Sequence, residues 1–356
     1  MTTAYLNRIA TAVPAHDVHR TFIEFAETML SGRHLPLFKR MAERGQIEHR
    51  FSSLEPSASG GNQGPAKNGF FRPGAFPSTA SRMKLYEREA PALAAHAVEK
   101  LSDESSLDGI THLIVVTCTG FAAPGVDQAI IERFGLSPSV ERISIGFMGC
   151  AASLNALKTA RHIVRSEPSA KVLIVSIELC TLHLQDGVDL EQLLCFLIFG
   201  DGCAAAVVSA EPSGFALDGF FSQVLPTAAT LIKWGIGDQG FDMVLSGRVP
   251  AAIGVALGGE NSALSNFINS SNIDLWAVHP GGRSVLDSVE QTLELPCSAL
   301  ESSRSVLREF GNMSSATILF VLERLMAKPA CGAEAGCALA FGPGLTVEAM
   351  QFKRAA

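Results

Sequence analysis

RISIGFMGCAASLNALKTA, Arg142–Ala160, is the stretch on which the fold turns. A β-branched run, Arg142–Ile145, leads into Gly146-Phe147-Met148-Gly149, then Cys150, then an Ala/Leu/Lys-rich segment with helical character. A strand that turns through glycine into a helix presents its turn residue at the helix N-terminus. Free amides and the positive end of the helix dipole favour an anion there. A thiol so placed gives up its proton more readily, and the thiolate is the nucleophile. Gly149 permits a tight turn, and Ala151 and Ala152 leave space above the sulfur. The competing reading is a buried structural cysteine beside a helix cap.

Outward from this unit the chain alternates strands and helices. Thr21–Leu30, Leu35–Arg44 and Met83–Leu101 read as helices, the second with Arg40 and Arg44 one turn apart. His112–Thr117 reads as a buried strand, followed by a Gly/Pro turn and a helix over Val126–Phe134. After Cys150 come a strand Lys171–Glu178, a helix Leu190–Phe196, a turn Gly200-Asp201-Gly202 and a strand Ala204–Ser209. A Gly/Pro/Ser-rich stretch, Ser52–Ser78, reads as a surface loop or flap. This pattern indicates an α/β fold with a largely parallel sheet.

The composition shifts near Glu211–Gly214, and the second half of the chain repeats the first. A strand Asp274–Val278, the turn Pro280-Gly281-Gly282 and a helix Ser284–Leu293 lead to Gly311-Asn312 and a helix Met313–Met326; a strand Cys337–Phe341 closes the unit. Thr117 precedes Cys150 by 33 positions, and His279 precedes Asn312 by the same 33. Two copies of one unit would bury two such helices back to back between sheets. Their pseudo-twofold would then bring Cys150, His279 and Asn312 around a single pocket. Chance likeness between two α/β units is the alternative.

With 356 residues, 47% hydrophobic and 18% charged, the chain is neither disordered nor short of core. A net charge of −7 makes nucleic acid an unsuitable partner. Eight scattered cysteines suit a reducing compartment better than a disulfide framework. The first residues lack the apolar core of a signal peptide, and no stretch reaches the ~18 apolar residues of a membrane span. A cytoplasmic protein without membrane insertion is expected.

Cys150 as nucleophile, His279 at a strand end as its ion-pair partner and hydrogen-bond donor, and Asn312 as a neutral donor form a chemical set. Two donors aimed at one point suit a carbonyl oxygen that becomes an enolate oxygen. No carboxylate base is needed if the carbanion arises by loss of carbon dioxide. Papain-like thiol hydrolases share the order Cys, His, Asn. However, this cysteine lacks their sequence setting, and the internal repeat is foreign to them.

The segments GFMGCAASLNALKTA, WAVHPGGRSVLDSVEQTLEL, EFGNMSSATILFVLERL and AFGPGLTVEAM resemble the signatures of type III polyketide synthases, the chalcone-synthase-like condensing enzymes. The resemblance runs from about Leu6 to Phe352. It implies a thiolase-like αβαβα fold with duplicated halves, 1–212 carrying the cysteine and 213–356 the histidine and asparagine, and a homodimer. It implies an acyl starter on Cys150, decarboxylation of malonyl-CoA against His279 and Asn312, and iterative extension before ring closure. CoA thioesters are then substrates, and no cofactor is implied. Arg40 and Arg44 match CoA-phosphate positions, although Leu37 stands where a lysine is common. Phe221 (or Phe220, if the register slips) matches one gate phenylalanine, and Met243 replaces the other. Ser314, Cys118, Glu178, Cys180 and His183 fall on positions that line or flank the pocket. Cys180 and His183 have no matching second pair, so a metal-free pocket is expected. Small residues, Ala123 among them, suggest a medium or long fatty acyl starter and an alkylpyrone or alkylresorcinol product. A single-round ketoacyl synthase III-like enzyme and a non-catalytic ligand-binding descendant are the alternatives.

Overall fold

The computed structural model describes residues 2–58, 64–104, 106–187, 189–259, 262–269, 272–330, 332 and 334–355. The first half runs β1 (Tyr5–Ala12), β2 (His16–Asp17), α1 (His19–Met29), α2 (His34–Gly45), β3 (Phe51–Ser52), α3 (Thr79–Glu104), β4 (His112–Thr117), α4 (Val126–Phe134), β5 (Glu141–Gly146), α5 (Ala152–Ser166), β6 (Val172–Leu179), α6 (Leu190–Phe196) and β7 (Asp201–Ser209). The second runs β8 (Phe215–Val224), β9 (Ile232–Gly237), β10 (Gly240–Leu245), α7 (Val249–Gly258), α8 (Ala263–Asn269), β11 (Leu275–Val278), α9 (Arg283–Thr292), α10 (Glu301–Phe310), α11 (Thr317–Ala327), β12 (Ala335–Gly342) and β13 (Thr346–Arg354).

Nine strands form one mixed sheet in the order β11-β12-β13-β8-β1-β7-β6-β4-β5. In the first half β4 pairs parallel to β6, β6 antiparallel to β7, and β7 antiparallel to β1. In the second, β11 pairs parallel to β12, β12 antiparallel to β13, and β13 antiparallel to β8. The strand plan therefore repeats, and β1 and β8 join the copies antiparallel. Strand β5 extends the first copy at its outer edge.

Side-chain alternation sorts the core into layers. Ile114, Val116, Val172 and Ile174 of one half, and Ala277, Ala338 and Met350 of the other, meet the same middle layer of α5 and α11. The opposite faces, Leu113 and Val115 in one half and Trp276 and Val278 in the other, pack under α3 with α4 and under α7 with α9 respectively. The result is helix, half-sheet, helix pair, half-sheet, helix, the half-sheets being the two copies within the one nine-stranded sheet. Ala152, Ala156 and Ala160 of α5 are fully buried, so the helices pack closely. Residues Thr317–Leu322 of α11 are buried without a break, as a helix between two sheets requires.

The structure departs from the sequence expectations at several points. Gly200-Asp201-Gly202 is not a free turn, since β7 begins at Asp201, paired to Leu179. Gly202 is small because the Met313 sulfur occupies the place its Cβ would take. The apolar segment after Asn312 starts as a 3-10 turn, Ser314–Ala316, before α11. Of the stretch 52–78, residues 59–63 lie outside the described residues, and the rest is more than an exposed flap: Phe71 and Phe76 are buried beside α1 and α6. Among the described residues no helix is long and apolar enough to cross a membrane.

Leu319 sits in the middle layer with no exposed surface. Leu319→Ala is expected to cost about 3 kcal/mol of stability through lost burial and a residual cavity. Urea denaturation with a lowered midpoint and unchanged slope checks this.

Candidate active site

Cys150 lies in a 3-10 turn, Gly149–Ala151, that feeds directly into α5. Gly149 takes φ +62°, and a Cβ there would collide with the Pro343 ring, so both its conformation and its neighbour require glycine. Its amide donates to Cys118 Sγ at 3.2 Å. The corresponding turn of the second half, Ser314–Ala316, sits against this one, and the Cys150 thiol donates to Ser314 Oγ at 3.8 Å.

His279 follows β11, its amide bonded to Leu339 O at 2.8 Å. Its ring is buried, and neither nitrogen has a partner among the described residues. Asn312 is pinned by its backbone: its amide donates to Ile198 O (2.8 Å) and its carbonyl accepts from Gly200 (3.0 Å). Its Oδ1 accepts from the Ser314 amide at 2.8 Å, which turns the side-chain amide the other way. There Nδ2 reaches Gly281 O only at 3.5 Å and remains available as a donor.

Cys150, His279 and Asn312 line one cavity of about 70 Å³, although they come from both halves of the chain. Its other walls are mostly apolar, among them Ile232, Trp234, Leu245, Val249 and Phe341, with Thr119, Lys233 and Ser314 the polar members. Leu245, Val249, Gly281 and Val285 also border a larger groove of about 870 Å³ that carries Arg44 and Arg283. The groove, which also carries Asp189, Glu191 and Asp287, thus adjoins the cavity along these shared walls.

The electrostatics differ from the ion pair expected from sequence. Burial pushes the Cys150 thiol up to about 12, against the opposing hydrogen bonds of Ser314 and Asn312. Burial also holds His279 down to about 3. The resting pair is a thiol and a neutral imidazole. In this apolar setting the loss of solvation outweighs the helix N-terminus, whose contribution is worth at most ~2 kcal/mol.

Among the remaining sequence candidates, Cys118, Cys180, Met243 and Ser314 line the cavity. Glu178 lies behind the wall, accepting from the Cys118 amide, Thr119 Oγ1 and Ser315 Oγ; burial raises it to about 7 despite these donors. His183 is also behind the wall. Its Nε2 donates to Thr119 O (2.7 Å) and its Nδ1 accepts from the Phe241 amide (3.0 Å), which leaves no lone pair for a metal. Phe221 departs from its expected place, because it stacks on Phe267 at 5.6 Å on the outer face of the second half and does not reach the cavity. Phe220 lies over Arg161, also away from it. The phenylalanine in the cavity wall is Phe199, which lies in an unbroken apolar run where no periodicity marks it. Arg40 is exposed on α2 and does not border the groove, whereas Arg44 does. Arg283 escapes sequence reasoning, although its position directly after Pro280-Gly281-Gly282 could have marked it.

Comparison with known proteins agrees with this geometry. The profile of "Chalcone and stilbene synthases, N-terminal domain" matches residues 6–212, and that of the C-terminal domain matches 217–355. The α-pyrone synthesis polyketide synthase-like Pks18 of Mycobacterium tuberculosis is 36% identical over 369 residues, covering 99% of this chain and 91% of that protein. The 1,3,6,8-tetrahydroxynaphthalene synthase of Streptomyces coelicolor A3(2), a bacterial type III polyketide synthase, superposes with TM-score 0.86 at 29% identity over the whole of both chains. CsyB complexed with CoA-SH superposes with TM-score 0.84 at 23% identity, over 99% of this chain and 100% of that one, a likeness of fold. The chain belongs to the chalcone and stilbene synthase family. It is a type III polyketide synthase with the thiolase-like fold, an acyltransferase of the Claisen-condensing kind. The papain-like and single-round readings fall away.

A half-buried thiol in an apolar setting, beside a neutral imidazole, reacts slowly until it is deprotonated. Inactivation of the free enzyme by iodoacetamide is therefore expected to keep accelerating with pH beyond about 8.5, the ordinary thiol range. A rate that levels off between about pH 6 and 7 would instead indicate a standing thiolate–imidazolium pair.

Proposed function

We propose that Cys150 carries the starter acyl group and that His279 and Asn312 activate malonyl-CoA for iterative, decarboxylative extension. The observation that carries this reading is the meeting of the three side chains in one largely apolar cavity beside a groove that carries Arg44 and Arg283. In loading, Cys150 Sγ attacks the thioester carbonyl and His279 takes the thiol proton. The tetrahedral intermediate collapses, and the departing CoA thiolate takes that proton from His279.

In extension, the malonyl thioester oxygen receives one hydrogen bond from the His279 ring and one from Asn312 Nδ2. Carbon dioxide leaves, and its bonding pair becomes an enolate whose oxygen charge faces two neutral donors. Donors fixed in a dry site favour such an enolate more than water would. A neutral imidazole keeps one N–H, so His279 serves without a charge. The enolate carbon then attacks the acyl carbon on Cys150, and the thiolate is released. Transfer of the lengthened chain back to Cys150 starts the next round.

The groove suits the CoA moiety, with Arg44 and Arg283 toward its phosphates. The apolar walls favour an alkyl starter over a polar one. Together with the α-pyrone synthesis for which the mycobacterial relative is named, they support a medium or long fatty acyl-CoA and an alkylpyrone or alkylresorcinol product. Exposed Met148, two residues before Cys150, and exposed Phe121, which stacks on Phe147, support a homodimer formed across this face. Free cysteines throughout the described residues support a cytoplasmic setting.

Kinetics with malonyl-CoA and a panel of starters test this reading. Medium and long acyl-CoAs are expected to exceed acetyl-CoA and aromatic CoAs by tenfold or more in kcat/KM. Cys150→Ala is expected to abolish product while carbon dioxide release from malonyl-CoA persists. His279→Ala and Asn312→Ala are expected to lose both. Better turnover of acetyl or aromatic starters overturns the starter assignment, and undiminished product from Cys150→Ala overturns the site.

A further inference from the structure

A second cavity, of about 40 Å³, lies behind Phe199. Phe199 borders both this space and the catalytic cavity, so one side chain stands between them. The second cavity is walled largely by apolar groups, including Phe22, Leu54, Ala66 and Phe71. Its polar members are Arg50, Ser52 and Thr181. The two hydroxyls are committed: Ser52 and Thr181 bond each other at 2.7 Å, and Thr181 Oγ1 donates to Asp201 at 2.9 Å.

Arg50 is not fully committed. It is 2% exposed and stacks over the Phe22 ring at 4.8 Å. Its Nε donates to His19 Nδ1 (2.8 Å), and its Nη1 donates to Phe196 O (2.8 Å) and Phe199 O (2.6 Å). Its Nη2 is buried and has no partner among the described residues. A buried N–H without an acceptor is unfavourable, and a ligand that supplies one removes the deficit. Asp17 and Asp201 already offset the guanidinium charge. A carboxylate would add an unbalanced negative charge, so the fitting acceptor is a neutral oxygen.

Resting on the condensing reading above, we propose that this cavity receives the far end of the starter acyl chain when Phe199 turns aside. Within it, Arg50 Nη2 selects a chain whose end carries a neutral oxygen, hydroxyl or ketone, over a bare alkyl end. The Phe199 backbone stays in place, held by Arg50, so rotation of the ring alone connects the two spaces. The volume suits a chain end and not a whole chain, which leaves the thioester at Cys150.

The test uses the full-length enzyme, malonyl-CoA and a length series of acyl-CoAs, each offered plain and with a hydroxyl near its far end. At one length in the series the hydroxylated starter is expected to win by fivefold or more in kcat/KM. Ala66→Phe, which fills the cavity far from the catalytic groups, is expected to erase that preference while the shortest starters keep their rate within twofold. Leu54→Phe is a second filling variant, should the first fail to fold. Equal use of plain and hydroxylated chains at every length overturns the proposal, as does a preference unmoved by filling. A wild-type enzyme that condenses no acyl-CoA at all overturns the reading of the site itself, a separate result.

Discussion

Everything in this molecule depends on burying α5 and α11 together between two copies of one sheet plan. The continuous run Thr317–Leu322 of α11 and the apolar face of α5 could not remain in water. Each is preceded by a 3-10 turn, and the packing brings the two turns into contact. A chain of buried hydroxyls fastens the contact. Ser153 donates to Ser176 at 3.0 Å, Ser176 bonds Ser315 at 2.9 Å, and Ser315 donates to Glu178. Every member is satisfied, the condition under which a buried polar network fixes one arrangement and not several. Cys150 rides on one turn, and Asn312 lies just before the other. The reacting groups thus inherit their positions from the core.

The same burial sets the protonation states. A surface cysteine at a helix start would be acidified, but this one is enclosed by apolar groups that disfavour its charge. His279, with no partner on either nitrogen among the described residues, stays neutral for the same reason. The site is therefore charge-poor until a substrate arrives. That suits a reaction in which the negative charge is brought in by malonate and lost as carbon dioxide. The polar ends of the substrate are met farther out, along the groove with Arg44 and Arg283.

Much of this is legible in the sequence because the decisive signals are local and doubled. A glycine turn leads into a helix at Cys150 and again at Asn312, although a strand precedes the first and α10 the second, and equal spacing ties Cys150 to Thr117 and Asn312 to His279. The features that escape are set by tertiary context. The hairpin β9–β10 supplies Ile232, Trp234 and Met243 to the cavity, yet its strands are six residues each and half-exposed, and β10 ends in the unbroken apolar run Met243-Val244-Leu245. Phe199 and Phe221 look alike in sequence; only the fold shows that one lines the cavity and the other stacks on Phe267. Arg50 sits in the run Glu48-His49-Arg50 and reads as part of a solvated face. Its burial arises from α1 and the segment before Gly200, which lie far away in the chain. A place at a helix start is the right mark for Cys150, but the low proton affinity expected from it neglects the apolar enclosure that only the fold reveals.

The most direct measurement is the mass of the intact enzyme after incubation with an acyl-CoA in the absence of malonyl-CoA, followed by peptide mapping. A gain of one acyl group, located on the peptide that contains Cys150 and absent in Cys150→Ala, is the expected result. An unmodified enzyme, or an acyl group on Cys118 or Cys180 in place of Cys150, would contradict the assignment of the nucleophile.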